Sequence, residues 1–573
     1  MKDNPYASRF IPPDGEKILL VLPPFWDPQI PPVGISCLKS YLKRHYFHVT
    51  TVDANIESQF REILKEYFEM LKTFIPEDKG RHMYNIGHDV LRRHMMAHLN
   101  YENEEKYIEL TKTLIFQIFF EEVTKEHVIE LNNLLTTFYS RLEMYILDML
   151  ARENPTVFGL SVYGSTLPAS LFAFKLAKEK NPTVMTVMGG GIFSGELALH
   201  SPDFEFFLEK TPYIDKIIVG EGELLFHKLL KGELPESQKV FTLDDIDGET
   251  LDIQRVEIPD FSDFNLQHYA QMASYTSRSC PFQCSFCVET THWGKFRRKS
   301  APQIVDELVK LYNQYKYQLF FMCDSLLNPV VTDLAKEFVQ SDMSLYWGGY
   351  LRVDKHACDI ENTLLWRRGG FYRARLGVES GSQRILDAMG KHITVQQIKD
   401  SISSLAYAGI KTTTYWVIGY PGETEIDFQE TLDVIEEFKD DIYEADCNPF
   451  WFFLTGQVKS EDWRIKNDYM LLYPEYARDL LLIQTWILKG EPSRQDTYQR
   501  VTRFIQHCKE LGIPNPYSLY EIDLADERWK KLHKNAVPSL VELIDPDAYI
   551  TECKHAHKFS LAHNLLQDDG DWL

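Results

Sequence analysis

Residues Lys17–Leu22 (KILLVL) form an unbroken apolar run between Gly15 and the pair Pro23-Pro24, as expected of a parallel strand buried on both faces. Apolar positions then recur at helical spacing from Val33 to Arg44, and a second strand is predicted at His48–Asp53. Short apolar runs at Val157–Val162, Thr183–Met188 and Ile214–Val219, with a helical stretch at Pro168–Lys180, continue the alternation. The pattern predicts a doubly wound α/β domain over residues 1–231, with ligand loops at the carboxyl ends of its strands. About a hundred residues separate Asp53 from Val157, far more than a βα connection needs. Their apolar positions fall three and four apart (Phe60, Leu64, Tyr67, Leu71; later Leu131, Leu134, Leu135, Phe138), so residues 54–154 read as a helical insertion. Its aromatic and Met side chains, among them Phe68, Met95, Met96 and Phe119, must bury against something. The insertion is expected to be a lid over the junction of two domains, or a bundle on the back of the first.

Residues 232–269, rich in Asp, Glu, Gly and Pro, read as a linker. Strands are then predicted at Met272–Arg278, Gln318–Cys323, Leu345–Leu351, Tyr372–Val378, Thr412–Ile418 and Asn448–Leu454. Capping boxes at Ser300-x-x-Gln303 and Thr394-x-x-Gln397 open two intervening helices, Thr424 caps another, and Gly409 takes a C′ position. Six β/α units in a row predict a partial (β/α)6 barrel over residues 270–457, with its active face at the carboxyl-terminal rim. From residue 458 to 573 the pattern reads as a helical C-terminal region, including Tyr476–Leu488 and Ser493–Leu511.

A net charge of −23 opposes a nucleic-acid partner, and the one basic run, Lys295–Lys299, is too short to track a strand of nucleic acid. No apolar run approaches the ~20 residues that span a bilayer, and the first residues carry no apolar h-region. A cytoplasmic protein with no membrane partner is expected. In a reducing compartment its nine cysteines favour metal binding or free thiols over disulfides.

Three of those cysteines, Cys280, Cys284 and Cys287, are spaced C-x3-C-x2-C in a loop directly after a predicted strand. Four thiolates would saturate a [4Fe–4S] cube, and three leave one iron open for chemistry. The alternative is zinc with His292 as a fourth ligand, although structural zinc usually takes paired C-x2-C units. His94 and His98, spaced i, i+4, are a second candidate metal pair, alongside His82 and His88 in the same stretch, and Cys553-x-His555-x-His557 a third; a packed or solvated face is the competing reading of each.

With Phe286 before its last cysteine, the motif resembles that of the radical S-adenosylmethionine (SAM) superfamily. The resemblance covers roughly Ala273–Leu454 and implies a [4Fe–4S] cluster whose open iron chelates SAM. It assigns Phe286, Asp324, Arg352, Glu379, Ser380, Gly419 and Gly422 to SAM, with Asp324 facing the methionyl amine. Upstream, the loops Pro23–Gly34, Ser161–Thr166, Gly189–Phe193 and Gly220–Glu223 resemble the cobalamin-binding domain of the cobalamin-dependent members. That likeness assigns Pro24, Trp26, Ser161, Tyr163, Gly164, Gly189, Gly190, Gly191, Phe193, Gly220, Glu221 and Gly222 to cobalamin. The D-x-H-x-x-G motif that supplies a cobalt-ligating His elsewhere is missing, so base-off binding is implied. The resemblance further implies a C-methyltransferase acting on an unactivated carbon of a small molecule or peptide, served by a flavodoxin- or ferredoxin-type electron donor. A radical rearrangement, cyclisation or epimerisation is the rival enzyme reading, and a cofactor-sensing protein the rival outside enzymology. The aromatic run within Cys447–Gly456 reads either as substrate contact at the barrel rim or as a core strand.

Overall fold

The computed structural model describes residues 16–341, 343–515 and 519–533; the Cys553–His557 tract lies outside them. Strands β1 (Lys17–Leu22), β2 (His48–Asp53), β3 (Val157–Ser161), β4 (Met185–Gly189), β5 (Lys216–Ile218) and β6 (Val240–Phe241) form one parallel sheet in the order 2-1-3-4-5-6. The order reverses between β1 and β3, and in such sheets the crevice at that switch point is where ligands sit. Ile18 to Leu22 are all buried, which explains the unbroken apolar run. β6 lies in the stretch read as a linker and adds an edge strand to this sheet.

Next come β7 (Met272–Ser274), then an antiparallel pair, β8 (Ser277–Arg278) with β9 (Arg297–Arg298). β10 (Leu319–Met322), β11 (Tyr346–Arg352), β12 (Phe371–Glu379), β13 (Lys411–Ile418) and β14 (Glu444–Pro449) follow and, with β7, make a second parallel sheet in chain order. Its outer face is a core surface: Phe320, Trp347, Ala374, Leu376 and Trp416 are buried, with Phe338 and Trp366 from the covering helices among them. Side chains alternate along a strand. The opposite face therefore presents Phe321, Tyr350, Arg375 and Tyr415, none of them fully buried.

Several local expectations are corrected. The strand predicted over Met272–Arg278 breaks in two, because Ser277 and Arg278 turn away to pair with β9. The last strand stops at Pro449, so the aromatic run after it is loop rather than core strand. Ser300 makes no side-chain cap, since Gln303 turns to Glu307 instead (2.9 Å), whereas the boxes at Thr394 and Thr424 form. The C-terminal region is not wholly helical. A short helix, Ala477–Leu481, ends where Leu482 enters the left-handed region (φ 59°), and the chain returns as β16 (Trp486–Leu488) against β15 (Tyr469–Leu471).

Residues 58–153 of the insertion fold into helices Ser58–Phe74, Met83–Ile86, His88–Asn100, Glu104–Phe119 and Lys125–Glu153. The insertion meets the first domain at its ligand-loop end, where Phe138 stacks near Phe25 (4.9 Å) and Arg92 donates two hydrogen bonds of 2.6 Å to Glu196. It meets the C-terminal region through His82 with Thr502 (3.0 Å) and Asn100 with the Leu480 carbonyl (3.0 Å). His94 lies between the hydroxyls of Tyr67 (2.9 Å) and Tyr107 (2.6 Å), and His98 contacts Asn132 (2.6 Å). These ring nitrogens hold the bundle together, and the paired-ligand reading of His94 and His98 is dropped. No described helix is long and apolar enough to cross a membrane.

Burial raises the Glu196 carboxyl, but the charges and hydrogen bonds of Arg92 and Arg93 outweigh it and hold it below its ordinary value near 4.5. The pair therefore stabilises the fold fully above that value and loses its contribution as pH falls through the lowered one. Glu196→Ala is expected to cost about 2–3 kcal/mol at neutral pH. Urea unfolding at two pH values checks this: the deficit should shrink in acid.

Candidate active site between the two sheets

The cysteine loop is built on a buried carboxylate. Asp324, just past β10, accepts hydrogen bonds from the Thr276 amide and hydroxyl (both 2.9 Å), from the Ser277 hydroxyl (2.6 Å) and from the Ser277 amide. Burial raises this carboxyl and these donors counteract the rise. Both oxygens are thereby engaged in shaping the chain between β7 and β8. Further on, the Ser285 amide donates to the Met389 carbonyl (2.9 Å), and the Val458 amide to the Cys287 carbonyl (3.0 Å). Gln457 reaches the carbonyl of Phe286 (3.1 Å). The loop is pinned from outside, leaving Cys280 and Cys287 half-buried and Cys284 buried.

Burial pushes the Cys287 thiol up to about 12 and raises Cys280 as well. Without metal they are protonated, so ligation must displace their protons. Arg352, at the end of β11, points Nη1 at Cys284 Sγ (3.2 Å) and lies over the Phe282 ring (4.1 Å). Its Nη2 is buried with no partner, a donor waiting for an acceptor beside the thiols. Glu379 ends β12 in the left-handed region (φ 71°) and pairs with Lys391. Ser380 accepts from the Ser382 amide (3.1 Å). The Gly419 amide donates to Glu423 (2.9 Å) at φ 79°, where a Cβ would stand 2.3 Å from Thr497. The Gly422 amide donates to the Glu491 carbonyl (2.8 Å).

Between this loop and the first sheet lies a cavity of about 530 Å³. Ser161, Tyr163, Gly189, Gly190, Gly191, Gly220, Glu221 and Gly222 line one wall. Pro24, Trp26, Gly164 and Phe193 do not: Trp26 rests on the Tyr163 ring (4.4 Å), Gly164 sits against Arg92 and Glu196, and Phe193 and Pro24 are buried. At Gly190 (φ 112°) a Cβ would lie 2.4 Å from the Val162 amide, so the turn requires glycine. At Gly34 and Gly220 a Cβ would meet nothing within 4 Å, so these glycines keep the wall flat and the space clear. The facing wall includes Tyr275, Arg278, Glu289, His292, Trp293 and Cys323. No residue of the helical insertion is among the lining residues; it braces the loops from behind. Phe453, from the aromatic run, packs against Gly195 beside the cavity.

A charged clamp joins the two walls. Glu223 pairs with Arg278, and Glu221 with Arg278 (3.1 Å) and Arg297. Both carboxylates are nearly inaccessible. Burial raises Glu223, but Arg278 overcomes this and leaves it lowered. Sequence reasoning took Arg297 only as part of a basic run and passed over Arg278. The signal was the recurrence of buried-capable acids in Gly220–Glu223 and of arginines flanking the cysteine motif. His292 lines the cavity, and burial lowers it to about 4, so it is a neutral imidazole.

Two parallel sheets facing each other across a thiol loop and a glycine-lined cavity define the class, and residues 274–435 match the family model of the Radical SAM superfamily. The chain thus carries a radical SAM domain over these residues. It is 24% identical over 328 residues to the anaerobic magnesium-protoporphyrin IX monomethyl ester cyclase of Rubrivivax gelatinosus, covering 52% of this chain and 57% of that one. It is 28% identical over 310 residues to an uncharacterised methyltransferase of Pyrococcus horikoshii, covering 50% and 65%. The chain thus spans less than two thirds of either relative's length. The radical SAM methyltransferase TsrM of Kitasatospora setae, solved with cobalamin and a [4Fe–4S] cluster bound, shares the fold with a TM-score of 0.56 and 14% identity, over 94% of this chain and 99% of that one.

Arg278→Met is expected to strand the buried Glu223 carboxylate, while Glu221 keeps Arg297, and to cost about 3–5 kcal/mol. Thermal or urea unfolding of the variant checks it, and a change below 1 kcal/mol would place the clamp at the surface.

Proposed function

We propose that the chain is a cobalamin-dependent radical SAM enzyme that methylates an unactivated carbon of a small molecule or peptide. One observation carries this reading: the flat glycine wall of the first sheet and the two segments that flank the cysteine loop of the second, Ser277–Ser279 and Glu289–Trp293, line the same cavity. Cys280, Cys284 and Cys287 would hold a [4Fe–4S] cluster. Among the described residues no three His, Cys, Asp or Glu side chains are placed to hold a single metal ion.

When bound, the cluster supplies one electron to the sulfonium of SAM, and cobalamin carries the methyl group. The protein's own part is to orient and shield. Arg352 offers its unpartnered Nη2 to the SAM carboxylate. Gly419 makes the turn against Thr497, Gly422 leaves open space for the nucleoside, and Glu379 and Ser380 stand at the neighbouring strand end. Gly34, Gly189 and Gly220 leave room for a flat corrin, which the insertion backs from outside. An external one-electron donor of flavodoxin or ferredoxin type completes the scheme. A cyclisation or rearrangement without methyl transfer is the second reading, supported by the likeness to a cyclase. Product mass decides between them: gain of a methylene supports the first, and an isomer or an oxidised ring the second.

Anaerobically reconstituted protein should bind about four irons per chain. Replacing any one of the three cysteines with Ala should remove both the brown chromophore and reductive cleavage of SAM to 5′-deoxyadenosine. Zinc without iron after anaerobic purification would refute the cluster. For the first domain, Gly34→Leu should abolish cobalamin uptake without lowering the melting temperature, because its side chain enters open space. Cobalamin bound to the wild type should show base-off absorption, since no D-x-H-x-x-G histidine is present. Unchanged uptake by Gly34→Leu would place cobalamin elsewhere.

A further inference from the structure

The inner face of the second sheet carries one cation that the site described above does not use. The register sets Tyr350 beside Arg375, and Arg352 beside Gly377 on the next row. Arg375 therefore lies about 7 Å further from the cysteine loop than Arg352 does. Its guanidinium rests 4.2 Å from the centre of the Phe321 ring and 5.8 Å from that of Tyr350. Neighbouring cations on the sheet are neutralised: Arg373 by Glu444, Lys411 by Asp526, Lys391 by Glu379. Among the described residues Arg375 has neither a carboxylate within ion-pair reach nor a hydrogen-bond acceptor.

A half-buried charge without a counterion is costly in a fold that otherwise pairs its buried charges. The rings hold the guanidinium by cation–π contact and leave its N–H fork unspent. The surroundings are not packed shut, for Tyr350 is 39% exposed and Tyr415 only partly buried. Cys323, which lines the cavity, lies near enough to Arg375 for that charge to offset part of the rise that burial imposes on its thiol.

We propose that Arg375 binds an oxyanion of the substrate, a carboxylate or a phosphate, with Tyr350 and Tyr415 flanking it. This rests on the reading of the cavity as the reaction chamber. Planar, two-pronged recognition of such a group is what a guanidinium does best. The substrate is then an anionic molecule, fixed at one end on the sheet face and presenting its reacting carbon toward the thiol loop.

The test uses the full chain, reconstituted anaerobically with iron and sulfide and saturated with SAM so that the Arg352 end is filled. Fluorine NMR titrations follow para-fluorophenylacetate, para-fluorophenyl phosphate and the neutral para-fluorophenylacetamide. At least one anion should bind about tenfold or more tightly than the amide, and the stronger of the two identifies the oxyanion. Arg375→Gln should bring the anion down to the level of the amide, while Arg375→Lys keeps part of the preference. Equal binding of anions and amide by the wild type, or an anion preference that survives in Arg375→Gln, overturns the proposal. Should Arg375→Gln fail to fold, the wild-type comparison and Arg375→Lys decide. Iron content of the same samples reports on the cluster separately: full iron with no anion preference overturns the anion site alone, and missing iron overturns the cluster reading alone.

Discussion

The carboxylates of Glu221 and Glu223 leave the first sheet at the turn after β5 and end on Arg278 and Arg297, which flank the cysteine loop of the second. Charges this deeply buried are costly to separate, because each would be left without solvent or partner. The clamp therefore fixes how the carboxyl ends of one parallel sheet face those of the other. The cavity is the space left between them, and the thiols and glycine turns hold their places relative to it through this contact. Lys299, buried against Glu307 (2.6 Å) and over the Tyr275 ring (3.8 Å), stiffens the same strand from behind.

Within that frame the two sheets divide the work according to their topology. The first reverses strand order between β1 and β3, which opens a crevice there and calls for glycine at each turn approaching it. The second winds in one direction, so its helices cover one face only and the other stays polar and partly open. Asp324 shows how a strand-end carboxylate can shape the loop of the neighbouring strand. By collecting the amides and hydroxyls of Thr276 and Ser277 it sets the bend from which Cys280 emerges. Arg352 and Arg375, two residues apart in register on adjacent strands, then offer positive charge at different depths of the same face.

The parts of this arrangement that were legible in the sequence are those that follow from local pattern. The run KILLVL reads as a buried strand because both of its faces are covered. The C-x3-C-x2-C spacing and the glycine turns are written in consecutive residues. What stayed hidden depends on contacts between distant residues. Nothing near Asp324 says that its oxygens will be taken by residues 48 positions earlier. Nothing in Tyr476–Leu488 announces a β-hairpin, since its apolar residues fit a helix until Leu482 turns left-handed. The linker reading missed β6 because a two-residue edge strand has no period to detect. The pairing of Arg278 with Glu223 spans 55 residues, and the isolation of Arg375 is visible only once its neighbours' partners are known.

The most direct test of the whole account is anomalous diffraction from anaerobic crystals of the protein grown with SAM and cobalamin, recorded at the iron and cobalt edges. The account predicts an iron peak bounded by Cys280, Cys284 and Cys287 and a cobalt peak inside the cavity, between the glycine turns at Gly189 and Gly220 and the wall formed by His292 and Trp293. Iron elsewhere than on the three cysteines, or cobalt outside that cavity, would contradict it.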